Sequence, residues 1–296
     1  MLRRCLLLCC LMLLLSTTVL AQDELPPDCR RTPPPAAQSD ESQTVLGYTM
    51  EQARQRYDYA LEQGAQFVPT PDGRSYYLLW LPQSDSDNPP PMIVTLHGHA
   101  SSAVDEFFLW HEYAAERGYG ILALQWWRGE DPDHDLNEDY YLPREIYPIF
   151  SRALCDLGTL PGTALLHGFS RGSAVIYAVT AFDRHTGNNF FGLTIANAGG
   201  AEADYPPNQQ IEAGDFGEMP YANSHWVLFC GGQDPAPELS GCPAMHRSQT
   251  WLENLGGTVD LFIEDADADH GGFHRNPENV EAALAVFDEM LASRED

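Results

Sequence analysis

Six short runs, at 92–96, 121–125, 163–167, 192–196, 226–229 and 259–263, are dominated by apolar and β-branched side chains, and longer amphipathic segments separate them. A strand that is apolar on both of its faces must be covered on both. Short buried strands alternating with helices therefore predict an α/β fold with a mostly parallel sheet sandwiched between helical layers. Residues 66–68 and 75–81 flank a Pro71-Asp72-Gly73 turn, so an antiparallel hairpin is expected to open the sheet. Helices are expected near 103–117, 144–156, 171–182 and 244–255. Thr49 with Gln52 reads as a capping box for a helix that runs to Gln63 and stops at Gly64. A last helix starts with Asn276 as cap and Pro277 in its first turn, and Val280, Ala283, Leu284, Phe287 and Leu291 form its apolar stripe.

The N-terminus carries a different message. Arg3 and Arg4 precede an apolar run from Leu6 to Leu15, and Val19 and Ala21 occupy small-residue cleavage positions. Residues 1–21 therefore read as a secretory signal peptide, too short to span a bilayer, and no later segment has the length and apolarity to do so. Cys9 and Cys10 lie inside the apolar stretch without the small residues that a lipid-attachment site needs, which argues against an anchor. Residues 22–43 are rich in Pro, Asp, Glu, Ser and Gln and read as a disordered linker, with the folded domain expected over 44–296. Export to an extracellular or periplasmic compartment permits disulfides among the four remaining cysteines. Cys230–Cys242 is favoured because it staples the segment after a strand, which leaves Cys29–Cys155.

Charge narrows the partners. The chain holds 43 Asp and Glu against 16 Lys and Arg, a formal charge of −27, and every one of its side-chain cations other than histidine is an arginine. Such a field repels nucleic acid and anionic lipid, whose binding rests on clustered cations.

His167-Gly168-Phe169-Ser170-Arg171-Gly172 closes one expected strand and opens a helix. In that context Gly-x-Ser-x-Gly is a nucleophile elbow, a tight turn that lifts a serine above the sheet edge, with glycines where a Cβ would collide. A serine hydroxyl needs a base, and the base an orienting carboxylate. On a parallel sheet both should follow at carboxyl ends of later strands, in the order Ser, acid, His. Asp234 stands just after the 226–229 strand in a Gly231-Gly232 exit loop. Glu202 is its rival after the preceding strand. His270 and His274 both follow the last strand. His270 is favoured because Gly271 and Gly272 let the loop turn its imidazole back over the sheet, and Asp265, Asp267 and Asp269 crowd the same loop as further candidate acids. The oxyanion of an acyl-transfer intermediate needs two aimed N–H donors, for which the amides of Arg171 and His99 are expected, with Ala100 as second choice. His97 is expected to tie down its loop. A metal reading of His97 and His99 lacks a third ligand. Residues 128–141 carry alternating carboxylates, but Leu136 and Leu142 occupy positions where a calcium loop needs Gly and Glu. Trp126, Trp127, Tyr140 and Tyr141 either wall a substrate cleft or join the core.

With His97-Gly98, the Gly168 to Gly172 elbow, Asp234 and His270 in this order, residues 65–292 resemble the α/β-hydrolases. The stretch from Leu96 through Gly120 is similar to secreted esterases of the polyhydroxybutyrate-depolymerase and feruloyl-esterase type. The resemblance implies an eight-stranded sheet, a Ser-His-Asp triad that works without cofactor or metal, and hydrolysis of a small or polymeric carboxylic ester. A serine peptidase on the same fold and a catalytically silent binding protein are the alternatives.

Overall fold

The computed structural model of the chain describes residues 26–30, 40–83, 88–131 and 136–294. The expected signal segment and most of the expected linker lie outside them, as do Asp133 and Asp135 of the acidic stretch. Among the described residues, eight strands form one sheet in the order β1-β2-β4-β3-β5-β6-β7-β8. β1 (Gln66–Pro69) and β2 (Tyr76–Trp80) pair antiparallel. β2 joins β4 (Gly120–Leu124) antiparallel, and β4 pairs parallel with β3 (Met92–Leu96). From β3 the sheet continues parallel through β5 (Ala164–Phe169), β6 (Phe191–Asn197), β7 (His225–Gly231) and β8 (Thr258–Asp265).

The period-two alternation of a strand divides the core into two layers. Met92, Val94 and Leu96 point into one with Leu122, Leu166 and Leu228; Ile93 points into the other with Ile121, Leu165 and Val227. α4 (Pro143–Asp156), α5 (Arg171–Thr186) and α7 (Cys242–Asn254) cover the first layer. α3 (Ala103–Arg117) and α9 (Pro277–Ala292) cover the second. In α9 the side chain of Asn276 accepts a hydrogen bond from the amide of Glu278, and Val280, Ala283, Leu284 and Phe287 are buried. Burial of each of the larger side chains contributes about 1.5–3 kcal/mol. No helix among the described residues is long and apolar enough to cross a membrane.

Local signals misplaced some boundaries. α1 spans Asp40–Gln52 and so begins inside the stretch expected to be linker, with Asp40 and Glu41 placed at the positive end of the helix dipole. Thr49 is therefore no cap. It lies inside α1, where its Oγ1 donates to the Val45 carbonyl at 3.2 Å and accepts from the Tyr76 hydroxyl at 2.8 Å. The chain breaks at Ala53, and α2 (Arg54–Glu62) follows. Two short helices were unforeseen, α6 (Pro206–Glu212) and α8 (Gly272–Arg275).

Both disulfides are formed: Cys230–Cys242 joins the end of β7 to the start of α7, and Cys29–Cys155 pins a 3-10 turn at Pro27–Arg30 against α4. The second closes a sequence separation of 126 residues, so it restricts the unfolded chain much more than the first, with its separation of 12. Cys29→Ser is expected to lower the unfolding free energy by about 2–4 kcal/mol. Urea titration of the oxidised protein checks this; an unchanged midpoint refutes it.

Candidate active site

Six parallel strands place their carboxyl ends along one edge, and the loops leaving β3, β5, β6, β7 and β8 gather there. This is where an open α/β sheet builds a site. Ser170 forms the corner between β5 and α5 with φ 53° and ψ −115°, and its amide donates to the Asn197 carbonyl at 2.8 Å. The surrounding glycines are required by contact. A Cβ on Gly168 would lie 2.5 Å from the Gly172 carbonyl oxygen, and one on Gly172 would lie 2.4 Å from that of Leu96. One on Gly199 would strike the carbonyl oxygen of Ser170 itself at 2.1 Å.

The structure brings Ser170, His270 and Asp234 into one hydrogen-bonded line. The Ser170 hydroxyl is 2.8 Å from His270 Nε2, and His270 Nδ1 is 2.7 Å from Asp234 Oδ2. The carboxylate selects the tautomer in which Nδ1–H donates to Asp234, leaving Nε2 as acceptor for the serine proton. The Asp234 side chain is 1% exposed, and its Oδ1 accepts from the Ala236 amide at 2.8 Å and the Ser240 hydroxyl at 2.9 Å. The loop that bears His270 is sewn to the one that bears Asp234 through the backbone: Gly232 donates to Asp265 and Gln233 to Ala268, both at 2.8 Å. Gly231 permits this, since a Cβ there would sit 2.4 Å from the Asp269 carbonyl oxygen.

The rival residues have other partners. Asp265 accepts from Asn276 and Asn279, and Asp269 pairs with Arg275. Glu202 is half-buried, and burial raises its carboxyl above the ordinary value, but it lies in the loop after β6 and not against His270. His274 is half-buried, with Nε2 turned inward and its ring 4.8 Å from Trp110 and 5.4 Å from His167. Burial and the neighbouring His167 push it down to about 3.

At the loop after β3, His97 is buried, donates from Nδ1 to the Gly98 carbonyl at 2.8 Å, and is pushed down to about 4 by burial. Its carbonyl accepts from Trp126 Nε1 at 2.9 Å, so the residue does tie down this loop. Gly98 packs against Phe169 and the Ser170 Cβ. His99 is exposed beside it. The Ala100 amide donates to the Tyr140 hydroxyl at 2.9 Å, which removes the second-choice oxyanion donor. Arg171 opens α5, where a first-turn amide has no acceptor within its own helix. Trp126, Trp127, Tyr140 and Tyr141 are all buried, and three of them, Trp126, Tyr140 and Tyr141, also line a groove beside the site, so core and wall are one layer.

Sequence reasoning missed a polar cluster directly behind the elbow. Glu106 of α3 is 2% exposed, accepts from the Thr95 hydroxyl at 2.7 Å, and lies 3.3 Å from His167 Nδ1. The hydrogen bond and charge of His167 hold its carboxyl below the ordinary value despite burial. Asn197, whose carbonyl holds the Ser170 amide, touches His167 Nε2 through its side chain at 3.2 Å. A glutamate among the apolar positions of a core helix was the available signal.

No family model and no curated protein matches the sequence. Solved structures do. A fungal esterase from Rhizomucor miehei superposes with a TM-score of 0.56 at 12% identity, covering 90% of this chain and all of its own. The chain has the α/β-hydrolase fold. An esterase/lipase from an uncultured bacterium, TM-score 0.56 at 14% identity over 89% of this chain and 94% of that one, shares this α/β-hydrolase architecture. So does a hyperthermophilic esterase from the archaeon Pyrobaculum calidifontis, TM-score 0.54 at 13% identity over 88% and 99%.

The depressed pKa of His274 has a measurable consequence. An imidazole held neutral in the fold but free to protonate when unfolded contributes stability that is complete above its unfolded pKa. That stability is lost as pH falls from 6.5 toward the folded value of about 3. The stability advantage of the wild type over His274→Phe should therefore shrink by about 1.4 kcal/mol per pH unit between pH 6 and 4. Urea unfolding of both proteins across this range tests it, and a pH-independent difference overturns it.

Proposed function

We propose that the protein is a secreted serine hydrolase that cleaves carboxylic esters through an acyl-enzyme. The observation that carries this reading is the unbroken hydrogen-bonded line from the Ser170 hydroxyl through His270 to the buried carboxylate of Asp234, at 2.8 and 2.7 Å. Esterases with the same fold support the choice of ester chemistry. Two disulfides fit an oxidising compartment outside the cytoplasm.

His270 Nε2 takes the Ser170 proton as Oγ attacks the ester carbonyl carbon, and the carbonyl π electrons move onto oxygen. The amides of Arg171 and His99 stabilise this oxyanion by pre-aimed dipoles. The imidazolium, steadied by Asp234, then gives its proton to the leaving alcohol oxygen as the C–O bond breaks. Water next loses a proton to His270 Nε2 and attacks the acyl carbon. Collapse of that intermediate returns the proton to Ser170 Oγ and releases the acid. The cycle is proton-neutral and uses only side chains and backbone of this chain.

Ser170→Ala and His270→Ala are each expected to lower turnover of p-nitrophenyl butyrate by at least about 10³-fold, and Asp234→Asn by about 10³–10⁴-fold. A fluorophosphonate should label Ser170 in the wild type, as read by peptide mass spectrometry. Undiminished turnover by Ser170→Ala refutes the nucleophile. A wild type that neither turns over esters nor takes the label is the binding protein instead.

A further inference from the structure

A groove of about 650 Å³ starts at Arg171, the residue that follows Ser170 in the chain, and runs along α5 past Ala174 and Val175 to Phe182. Its walls near the entrance are Tyr140, from the aromatic layer, and Tyr205, at the start of α6. The floor is built from the helical stripe that 171, 174, 175 and 182 make on one side of α5. Ala174 leaves the middle open because it is small. At the far end Phe182 is held by its neighbours, stacked on Tyr147 at 6.1 Å between ring centroids and met edge-on by Phe216 at 4.9 Å. The charged residues Arg144 and Asp204 are exposed, which places them at the rim.

Topology decides which half of an ester can enter. His270 must deliver its proton to the leaving oxygen, so the alcohol lies toward the base loop. That loop runs into α8, whose Phe273 belongs to the core layer of α3 and α9. The groove lies on the opposite layer, over α5 and the N-terminal end of α4. The alcohol and the groove are thus on different sides of the scissile carbonyl, and the acyl half faces α5.

We infer that the groove is the acyl site, that it takes an unbranched apolar chain, and that Phe182 sets its length limit; the inference rests on the ester-hydrolase reading above. The eleven residue-to-residue steps from Arg171 to Phe182 span about 16 Å of helix, the reach of an extended chain of about a dozen carbons. Each methylene that leaves water for such a groove tightens binding by up to about fourfold.

The test is the kcat/KM profile of p-nitrophenyl esters from acetate to hexadecanoate. For the wild type, specificity should climb about two- to fourfold per methylene to roughly ten to twelve carbons and then fall. Phe182→Ala should move the fall to longer chains, and Ala174→Phe should lower the decanoate-to-acetate ratio at least tenfold. Should Ala174→Phe fail to fold, the wild-type profile and Phe182→Ala still decide. A wild type that prefers acetate, or variants that share the wild-type optimum, overturn the assignment. So does a variant effect that follows the alcohol chain in a series of alkyl acetates, which would make the groove the leaving-group site. Labelling of wild-type Ser170 by diethyl p-nitrophenyl phosphate separates the two failures. A labelled serine with an unchanged optimum defeats the groove alone, whereas an unlabelled serine with no ester hydrolysis defeats the esterase reading and the groove with it.

Discussion

Ser170 occupies a backbone conformation that side chains rarely adopt, at φ 53°. Such a residue costs about 1–3 kcal/mol and persists only where its surroundings over-determine it. Here they do. β5 fixes the chain on one side and α5 on the other, and the amide is bonded to Asn197. Gly168, Gly172 and Gly199 let neighbouring backbones close in to distances that no Cβ would allow, and Gly98 leaves room for the Phe169 ring. The strain has a geometric result: the serine hydroxyl stands clear of the sheet edge and reaches an imidazole 100 residues later in the chain.

The elbow also rests on buried polar chemistry. Glu106, Thr95, His167 and Asn197 tie α3, β3, β5 and β6 together behind Ser170, and Trp110 packs edge-on against the His167 ring at 5.0 Å between centroids. A buried carboxylate is tolerated only when its partners are in place, and stripping one away typically costs about 3–5 kcal/mol. Such a cluster is therefore intolerant of misregistered strands. It makes the relative placement of β5 and β6 specific, and with it the alignment of the Ser170 amide on the Asn197 carbonyl.

Arginines pair with a part of the chain's acidic residues at the surface. Arg117 spans Glu281 and Asp288, Arg74 spans Asp72 and Glu145, and Arg54, Arg152 and Arg247 each pair with one acid. Exposed pairs of this kind contribute little individually. Arg171 differs in place and company: its guanidinium lies 3.9 Å from the Tyr140 ring centroid and bonds the Asn137 side chain. It thus braces the aromatic wall next to Ser170, and Tyr140 in turn holds the Ala100 amide.

Much of this was legible in the chain itself. Unbroken apolar runs mark β3 to β7 as strands buried on both faces, because a half-exposed strand would have to alternate, whereas the 259–263 run, interrupted by Asp260, is the half-exposed edge strand β8 and not a buried one. Gly168 and Gly172 around Ser170 fix an elbow, because no other residue fits those contacts. Cys230 and Cys242 pair as their short spacing suggested, and Cys29 pairs with the remaining Cys155. Thr49 misled because a capping pattern looks the same whether a helix starts there or has begun at Asp40. What tertiary structure alone decided were choices among equivalent groups. Asp234 rather than Glu202 or Asp269 meets an imidazole, His270 rather than His274 meets the serine, and Ala100 gives its amide to Tyr140. Each of these depends on distances between residues far apart in sequence and on which group loses its water. Local pattern carries no record of either, since desolvation and proximity arise only when the layers close.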